Sequence, residues 1–278
     1  MTISTLDGVI AGMQPLRPFA KAVTPTLVAG RPHSLWYLAG GPGAGAMDNS
    51  TSGGVALSSS SALVTGQIPH YDPGSGTSYL ARLEGGATQA GVLQLCDRLW
   101  HGSAIISGGV ISVTSTSSQT VTSFPTLPSR DYAGSANGDG VLIGAEIYSL
   151  TGAGTPTLTL GYTNQANSSG KTTTNIDAVV ASGAVGAFYR FGLQAGDTGV
   201  RSIQSIQNSA TMTSGNYGLV AYRVLAALEI PGVNTPNAID ALTSGFPQLW
   251  NGVVPFLIFI PNTTTASLIT GTYTETQG

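Results

Sequence analysis

The stretch from Gly140 to Ile230 constrains the fold most, because it consists of one short strand-like segment after another. These segments are rich in β-branched and aromatic residues, and Gly, Asn, Asp, Pro or Ser stands at their ends. Such segments are typical of antiparallel strands joined by turns. Strands are predicted at 140–148, 155–163, 188–193, 200–206 and 218–227. We therefore expect an all-β fold, an antiparallel β-sandwich of the jelly-roll kind.

Further strands are predicted on both sides of this block, at 23–29, 33–38, 79–83, 90–100, 254–260 and 267–276. The pattern at 90–100 is also compatible with a helix, and Gly91 and Gly102, which bracket it, favour the strand. Residues 254–260 are apolar throughout, which predicts a strand covered on both faces. Residues 107–123 alternate Ile and Val with Ser and Thr, which predicts an exposed hairpin or an edge strand.

The chain is unusually poor in charge. Charged residues make up 8% of it, against about 25% in an average soluble domain, while 41% of the residues are hydrophobic and can form a core. A surface with few ions is easier to bury against other protein, because fewer charges lose their water. The net charge is −3 and the ten Lys and Arg residues are scattered. We expect protein partners and no direct nucleic-acid binding.

Cysteine content and apolar runs limit the cellular setting. Cys96 is the only cysteine, so the chain has no internal disulfide and no cysteine-based zinc site. The N-terminus lacks the basic and apolar regions of a secretory signal. The longest apolar run, 253–260, is shorter than the roughly 20 residues that span a bilayer, and Pro255 interrupts it. We expect a soluble chain made in a cytoplasm, without membrane contact.

Residues 4–13 predict a short N-terminal helix, capped by Ser4 or Thr5, with Asp7 in its first turn. One face of this helix is apolar and consists of Leu6, Val9, Ile10 and Met13. Two glycines weaken the helix, so it needs a partner surface. That surface belongs either to the chain's own domain or to a neighbouring subunit.

Composition also suggests a domain organisation. Residues 1–40 are predicted to form an N-terminal arm that anchors the chain, and 41–278 a β-sandwich domain with long Gly/Ser-rich loops. A candidate internal boundary lies near 124–138, where prolines mark a connection. The tract 48–61 is rich in Ser, Thr and Gly, which predicts a mobile loop or an arm ordered by a partner. The glycines at 40–45 lack the Lys-Ser/Thr of a phosphate loop and predict a flexible loop.

No catalytic constellation is visible. His33, His70 and His101 have no metal-ligand partner at i+2, i+3 or i+4, which favours a structural role for each. Serine is abundant, but no Gly-x-Ser-x-Gly elbow occurs in a strand–turn–helix setting. We predict no catalytic residue, no cofactor and no metal ligand, and therefore no enzyme.

Two acidic features leave alternatives open. Glu146 and Glu229 lie inside apolar strands and could form a glycosidase-like pair. They are better explained by exposure to solvent or by buried ion pairs, for which the candidate arginines are Arg190, Arg201 and Arg223. The segment 131–140 is acidic and Gly-rich but fails the EF-hand pattern, so at most a weak calcium loop is predicted there.

Three passages resemble structural proteins encoded among the virion genes of tailed bacteriophages and prophages. They are 5–21 (TLDGVIAGMQPLRPFAK), 192–206 (GLQAGDTGVRSIQSI) and 230–249 (IPGVNTPNAIDALTSGFPQL). They are spread over nearly the whole chain and contain no catalytic motif. The resemblance implies a virion component made in the cytoplasm of the host bacterium, without indicating its place in the particle.

Resemblance and composition together favour a capsid decoration or cement protein, a homotrimer on the outer shell. Its N-terminal arm would contact the major capsid protein, other virion proteins or a sister subunit. The candidate interface residues are Leu6, Val9, Ile10, Met13, Phe19, Trp36 and Tyr37. The alternatives are a tail tube, neck or baseplate protein, and a receptor- or glycan-binding protein that uses an exposed Trp100 or Trp250.

Overall fold

The computed structural model describes residues 3, 5–62, 64–73, 76–107 and 109–278. Ser4, one of the two predicted helix caps, lies outside these residues. The described part contains one short helix, α1 (Leu6–Ala11), and Thr5 caps it, because the Thr5 hydroxyl accepts a hydrogen bond from the Gly8 amide at 3.1 Å. In the described ranges no helix has the length and apolar character needed to span a bilayer.

The other regular structure in the described ranges is β-sheet, and all the strand pairings are antiparallel, as predicted. The strands are β1 (Arg17–Lys21), β2 (His33–Ser34), β3 (Gly40–Gly41), β4 (Val55–Ala56), β5 (Ser78–Ala87), β6 (Gly91–Gly102), β7 (Gln119–Thr120), β8 (Leu142–Ser149), β9 (Leu158–Asn164), β10 (Lys171–Thr172), β11 (Thr174–Asn175), β12 (Phe188–Gly192), β13 (Val200–Asn208), β14 (Asn216–Ile230), β15 (Asn237–Asp240), β16 (Gln248–Leu249), β17 (Pro255–Pro261) and β18 (Ile269–Gln277). The predicted strands between 140 and 230 are confirmed as β8, β9, β12, β13 and β14.

The chain forms two compact units. Unit 1 comprises residues 1–45, 59–97 and 224–278, and unit 2 comprises 46–58 and 98–223. The long strands β6 and β14 contribute residues to both units. Each unit has a hydrophobic core of its own.

Unit 1 is a sandwich of two sheets. One sheet has the strand order β15–β5–β18–β1–β3, with β16 also paired to β5. The opposing strands follow the order β14–β6–β17–β2. Leu83 of β5 and Tyr273 of β18 meet Leu95 of β6 and Phe259 of β17 in the core. Six of the seven residues of β17 are buried, which confirms the prediction of a strand covered on both faces.

Unit 2 is a second sandwich. One sheet has the order β10–β9–β13–β7, and the opposing strands follow the order β11–β12–β8–β14–β6, with β4 paired to β6. Leu160 and Ile203 of the first sheet pack in one core with Ile143 and Leu219 of the second. Strand alternation explains this packing, because every second side chain points to the same face.

The predicted N-terminal arm, residues 1–40, belongs to unit 1, where β1 pairs with β18 and β2 with β17. Residues 124–138 lie within unit 2 rather than at a boundary. The chain enters unit 2 twice, at residues 46 and 98. Amino-acid composition does not indicate where a chain passes from one unit to the other.

Most of the Ser/Thr/Gly tract 48–61 is part of unit 2 and packs there within the chain, contrary to the prediction of a mobile loop or of an arm ordered by a partner. Val55–Ala56 pair with Trp100 and His101, and Leu57 is fully buried. The Trp100 indole donates to the Gly53 carbonyl at 3.0 Å. Gly54 has a φ of 73°, and a Cβ there would lie 2.7 Å from the Trp100 ring, so only glycine fits.

Three other predicted strands are absent or short. Residues 23–29 form no strand, and the strand predicted at 33–38 is only β2. Within 107–123, of which Gly108 is not described, only β7 forms. The Gln119 amide explains this, because it accepts from Ser112 N at 2.7 Å and donates to Ser112 O at 3.0 Å, which takes backbone groups that a hairpin would pair.

A fully buried ion pair lies in unit 2. Arg98 of β6 donates to both carboxylate oxygens of Glu146 on β8, at 3.0 and 2.6 Å. Burial and the charge of Arg98 hold the pKa of His101 well below its usual value, so its Nδ1 accepts from the Arg98 Nε at 3.1 Å. The buried ion pair predicted for Glu146 is confirmed, but its partner Arg98 was not among the three candidates Arg190, Arg201 and Arg223. Arg190 pairs with Asp177 instead.

We expect Glu146→Leu to lower the free energy of unfolding by about 3–5 kcal/mol, because it leaves the Arg98 charge buried and unpaired. The double variant Arg98→Met with Glu146→Leu should recover most of this loss, because it removes both charges. Urea denaturation of the three proteins measures the difference. A double variant as unstable as Glu146→Leu alone would contradict the pairing.

His33 makes stability depend on pH. It is buried in β2, its Nε2 has no hydrogen-bond partner among the described residues, and burial lowers its pKa to about 4. Between pH 6.5 and about pH 4, His33 binds a proton in the unfolded chain but not in the folded chain. Stability therefore falls as the pH drops from 6.5 towards 4, at about 1.4 kcal/mol per pH unit for this one proton.

His33→Asn should reduce this slope by about one proton's worth, or 1.4 kcal/mol per pH unit. His101, whose pKa shift has the same direction, keeps its own contribution in the variant. Urea denaturation at a series of pH values from 4 to 7 measures both slopes. Equal slopes in the variant and the parent protein would refute the assignment to His33.

Candidate interaction surface at the N-terminal segment

Glu146 and Asp131, two of the groups considered for chemistry, are engaged within their own unit. Glu146 is held by Arg98, and Glu229 is exposed on β14. Asp131 accepts hydrogen bonds from four backbone amides and one hydroxyl. Burial acts to raise the pKa of Asp131, and the hydrogen bonds from Ser135, Asp139 and Ala133 outweigh it and lower the pKa. Among the described residues, no group of three or more His, Cys, Asp or Glu is placed to hold a metal ion.

Unit 1 contains a cavity of about 310 Å³ beside β5 and β18. Glycine and threonine form most of its wall, and its charged residue is Glu84. The Glu84 carboxylate is paired with Arg82 at 2.8 Å. The one acid of the cavity wall is thus engaged in an ion pair.

The N-terminal segment instead presents a cluster of exposed apolar side chains. Leu6 is 68% exposed, Ile10 64%, Met13 45% and Leu16 55%. We call these four residues the N-terminal apolar surface. Leu6, Ile10 and Met13 were predicted from helical spacing, and Val9, on the same face, is half-buried. Leu16 was missed, because it follows Pro15 and has no helical pattern.

Backbone bonds, rather than buried side chains, hold this segment on β18. The Gln14 amide donates to Glu275 O, and the Gln277 amide donates to Gly12 O, each at 2.9 Å. The Thr276 hydroxyl donates to Val9 O at 2.7 Å. No residue of α1 is buried. Polar atoms thus face the sheet while the apolar side chains are left outward.

Gly12 allows this close approach. A Cβ at Gly12 would lie 2.0 Å from the carbonyl oxygen of Gln277. Isolated helices shorter than about 12 residues are marginal in water, so the six-residue α1 depends on this contact.

A buried group of polar side chains around Glu275 and His70 holds the end of β18 beneath the segment. Glu275 accepts from the Tyr71 amide at 2.6 Å and from the Ser78 hydroxyl at 3.1 Å. The His70 nitrogens lie 2.6 Å from Glu275 and 3.2 Å from Asp72, at ion-pairing distance although not in hydrogen-bond direction. The Arg17 guanidinium stacks 3.4 Å above the Tyr71 ring. These contacts tie the loop at 70–72 to β18.

The three aromatic candidates of the predicted interface lie elsewhere. Phe19 is 2% exposed in the core of unit 1, and Trp36 is fully buried and packs edge-on against Phe256 at 6.1 Å. Alternation in β1 turns Phe19 inward, so neither of these two side chains is exposed in the folded chain. Tyr37 is half-buried. Trp100, a predicted glycan contact, is fully buried, and Trp250 is half-buried.

No protein-family model and no curated protein matches this chain. Among solved structures it is similar to the VP2 subviral particle of infectious bursal disease virus, at 9% identity and a TM-score of 0.16, covering 96% of this chain and 81% of that chain. For the Gt strain of that virus the identity is 10% and the TM-score 0.15, with 95% and 82% covered. At TM-scores this low we base no argument on these similarities.

Proposed function

We propose that this chain is a non-enzymatic structural protein of a virion, attached to other protein subunits through its N-terminal apolar surface. The observation that carries the proposal is the exposure of Leu6, Ile10, Met13 and Leu16 on a segment that hydrogen bonds tie to β18. Burying one such side chain stabilises by about 1.5–3 kcal/mol. A subunit surface that covers all four therefore gains enough to hold the chain in an assembly.

Within the virion, we place the chain on the capsid as a decoration or cement protein. The resemblance of 5–21, 192–206 and 230–249 to tailed-phage virion proteins supports a particle component. The charge-poor composition supports large protein contacts, since few ions must lose water on assembly. The partners proposed are the major capsid protein and further copies of the chain, as a trimer.

Leu6→Asp with Ile10→Asp should weaken attachment without unfolding the chain. Both side chains are more than 60% exposed, so charges there are solvated in the free protein and buried only in the assembly. We expect at least about tenfold weaker binding to particles assembled without the chain. Co-sedimentation measures it, and an unchanged thermal midpoint shows that the variant is folded.

Leu242→Asp is the matched control. Leu242 is 81% exposed in the same unit but lies outside the N-terminal apolar surface. It should leave attachment unchanged. If Leu242→Asp weakened attachment as strongly as the double variant, the N-terminal apolar surface would not be the anchor.

The number of copies in each virion tests the place in the particle. Quantitative mass spectrometry against the major capsid protein should give a ratio near one to one, because a decoration protein covers the shell. Only a handful to a few dozen copies would refute decoration and assign the chain to the neck or baseplate. An intermediate count would favour the tail tube.

A further inference from the structure

The loop 131–140 of unit 2 is locked by one buried side chain. Asp131 is 1% exposed, and its carboxylate accepts hydrogen bonds at 2.6–3.2 Å. The donors are the amides of Ala133, Ser135, Gly138 and Asp139 and the hydroxyl of Ser135. A carboxylate shared among so many donors holds the loop in one conformation.

Two neighbouring loops are bonded to the first. The Thr198 hydroxyl donates to Asp139 at 2.5 Å, and the Gly140 amide donates to Thr198 O at 3.1 Å. The Gln165 side-chain oxygen accepts from the amides of Thr198 and Gly199, at 3.1 and 3.2 Å. Residues 131–140, 164–170 and 194–199 therefore form one preorganised surface, which we call the Tyr132 surface.

The carboxylates of this surface have donors within their own unit. Asp131 and Asp139 are engaged as described. Asp197 accepts from the Tyr162 hydroxyl and the Asn164 amide, each at 2.6 Å, with Lys171 at 3.6 Å. The groups left outward are uncharged amides and hydroxyls, on Asn137, Asn167, Ser168, Ser169 and Gln194, all exposed.

Tyr132 stands out from these polar groups. It is 77% exposed and is the one large exposed apolar side chain in the three loops, all of whose residues the structure describes. Its amide donates to Asp139 O at 2.9 Å, which fixes its backbone. An exposed tyrosine on a rigid loop of Gly, Ser and Asn provides contact area at a low cost in conformational entropy.

We propose that the Tyr132 surface binds a neutral saccharide. A pyranose ring has an apolar C–H face that packs on an aromatic ring, and its hydroxyls match amide and hydroxyl side chains. The carboxylates of the surface are already satisfied, so nothing here calls for a charged ligand. A protein partner fits less well, since such interfaces bury about 800 Å² on each side around several apolar anchors.

Titration of the full chain with neutral hexasaccharides, namely maltohexaose, cellohexaose, hexa-N-acetylchitohexaose and xylohexaose, tests the proposal. Heteronuclear NMR should show shifts concentrated in 131–140, 164–170 and 194–199 for at least one of them. Tyr132→Ala should weaken this binding about tenfold or more, and Tyr132→Phe should stay within about threefold, because it keeps the ring. Both variants should remain folded, because the side chain is exposed.

Leu150→Ala is the matched control, since Leu150 is 59% exposed in the same unit but outside the surface, and it should bind as the parent does. Absence of binding to all four saccharides, or binding that Tyr132→Ala leaves unchanged, would overturn the proposal. The Leu6→Asp, Ile10→Asp variant should still bind saccharide. The saccharide site and the attachment to the particle are therefore tested independently of each other.

Discussion

The Arg98–Glu146 pair is the interaction on which unit 2 depends most. A buried charge is tolerated only when it is paired and its hydrogen bonds are satisfied. Here the guanidinium meets both carboxylate oxygens, and His101 takes a further bond. Arg98 and Glu146 lie on β6 and β8, which flank β14 in the strand order. The pair therefore joins two strands across β14.

The few charges of this chain repeatedly turn inward. In unit 1, the Lys21 ammonium donates to three backbone carbonyls, of Leu38, Pro42 and Gly43, and burial lowers its pKa to about 8. Glu275 is buried beneath the N-terminal segment in the same way. Because these charged side chains form hydrogen bonds inside the unit, fewer charges remain on its surface. Such an exterior costs little to cover with protein, which agrees with the proposed place in an assembly.

The strands were predictable where a local pattern is enough. β-branched and aromatic runs bounded by turn residues located β8 and β13, and the apolar run at 254–260 located the buried β17. Prediction was less successful where contacts with residues distant in the sequence determine the local structure. The tract 48–61 looks too polar to order itself, yet Trp100 and β6 hold it. The alternation at 107–123 suggested an exposed hairpin or an edge strand. Of the described residues there, only the two of β7 form a strand, which lies at a sheet edge, and the Gln119 side chain bonds the backbone of Ser112.

By itself, the sequence determined the all-β class, the short helix at α1 and the apolar face of that helix, because periodicity and capping are local properties. Only the tertiary structure decided which apolar residues stay exposed. Phe19 and Leu6 are both apolar residues of the N-terminal segment, and the sequence does not distinguish them. Strand alternation in β1 places Phe19 in a core, whereas Leu6 stays exposed on a segment bonded to β18 through its backbone. Tyr132 carried no signal in the sequence. Its exposure follows from the locking of its loop by Asp131, which depends on contacts formed when the chain folds.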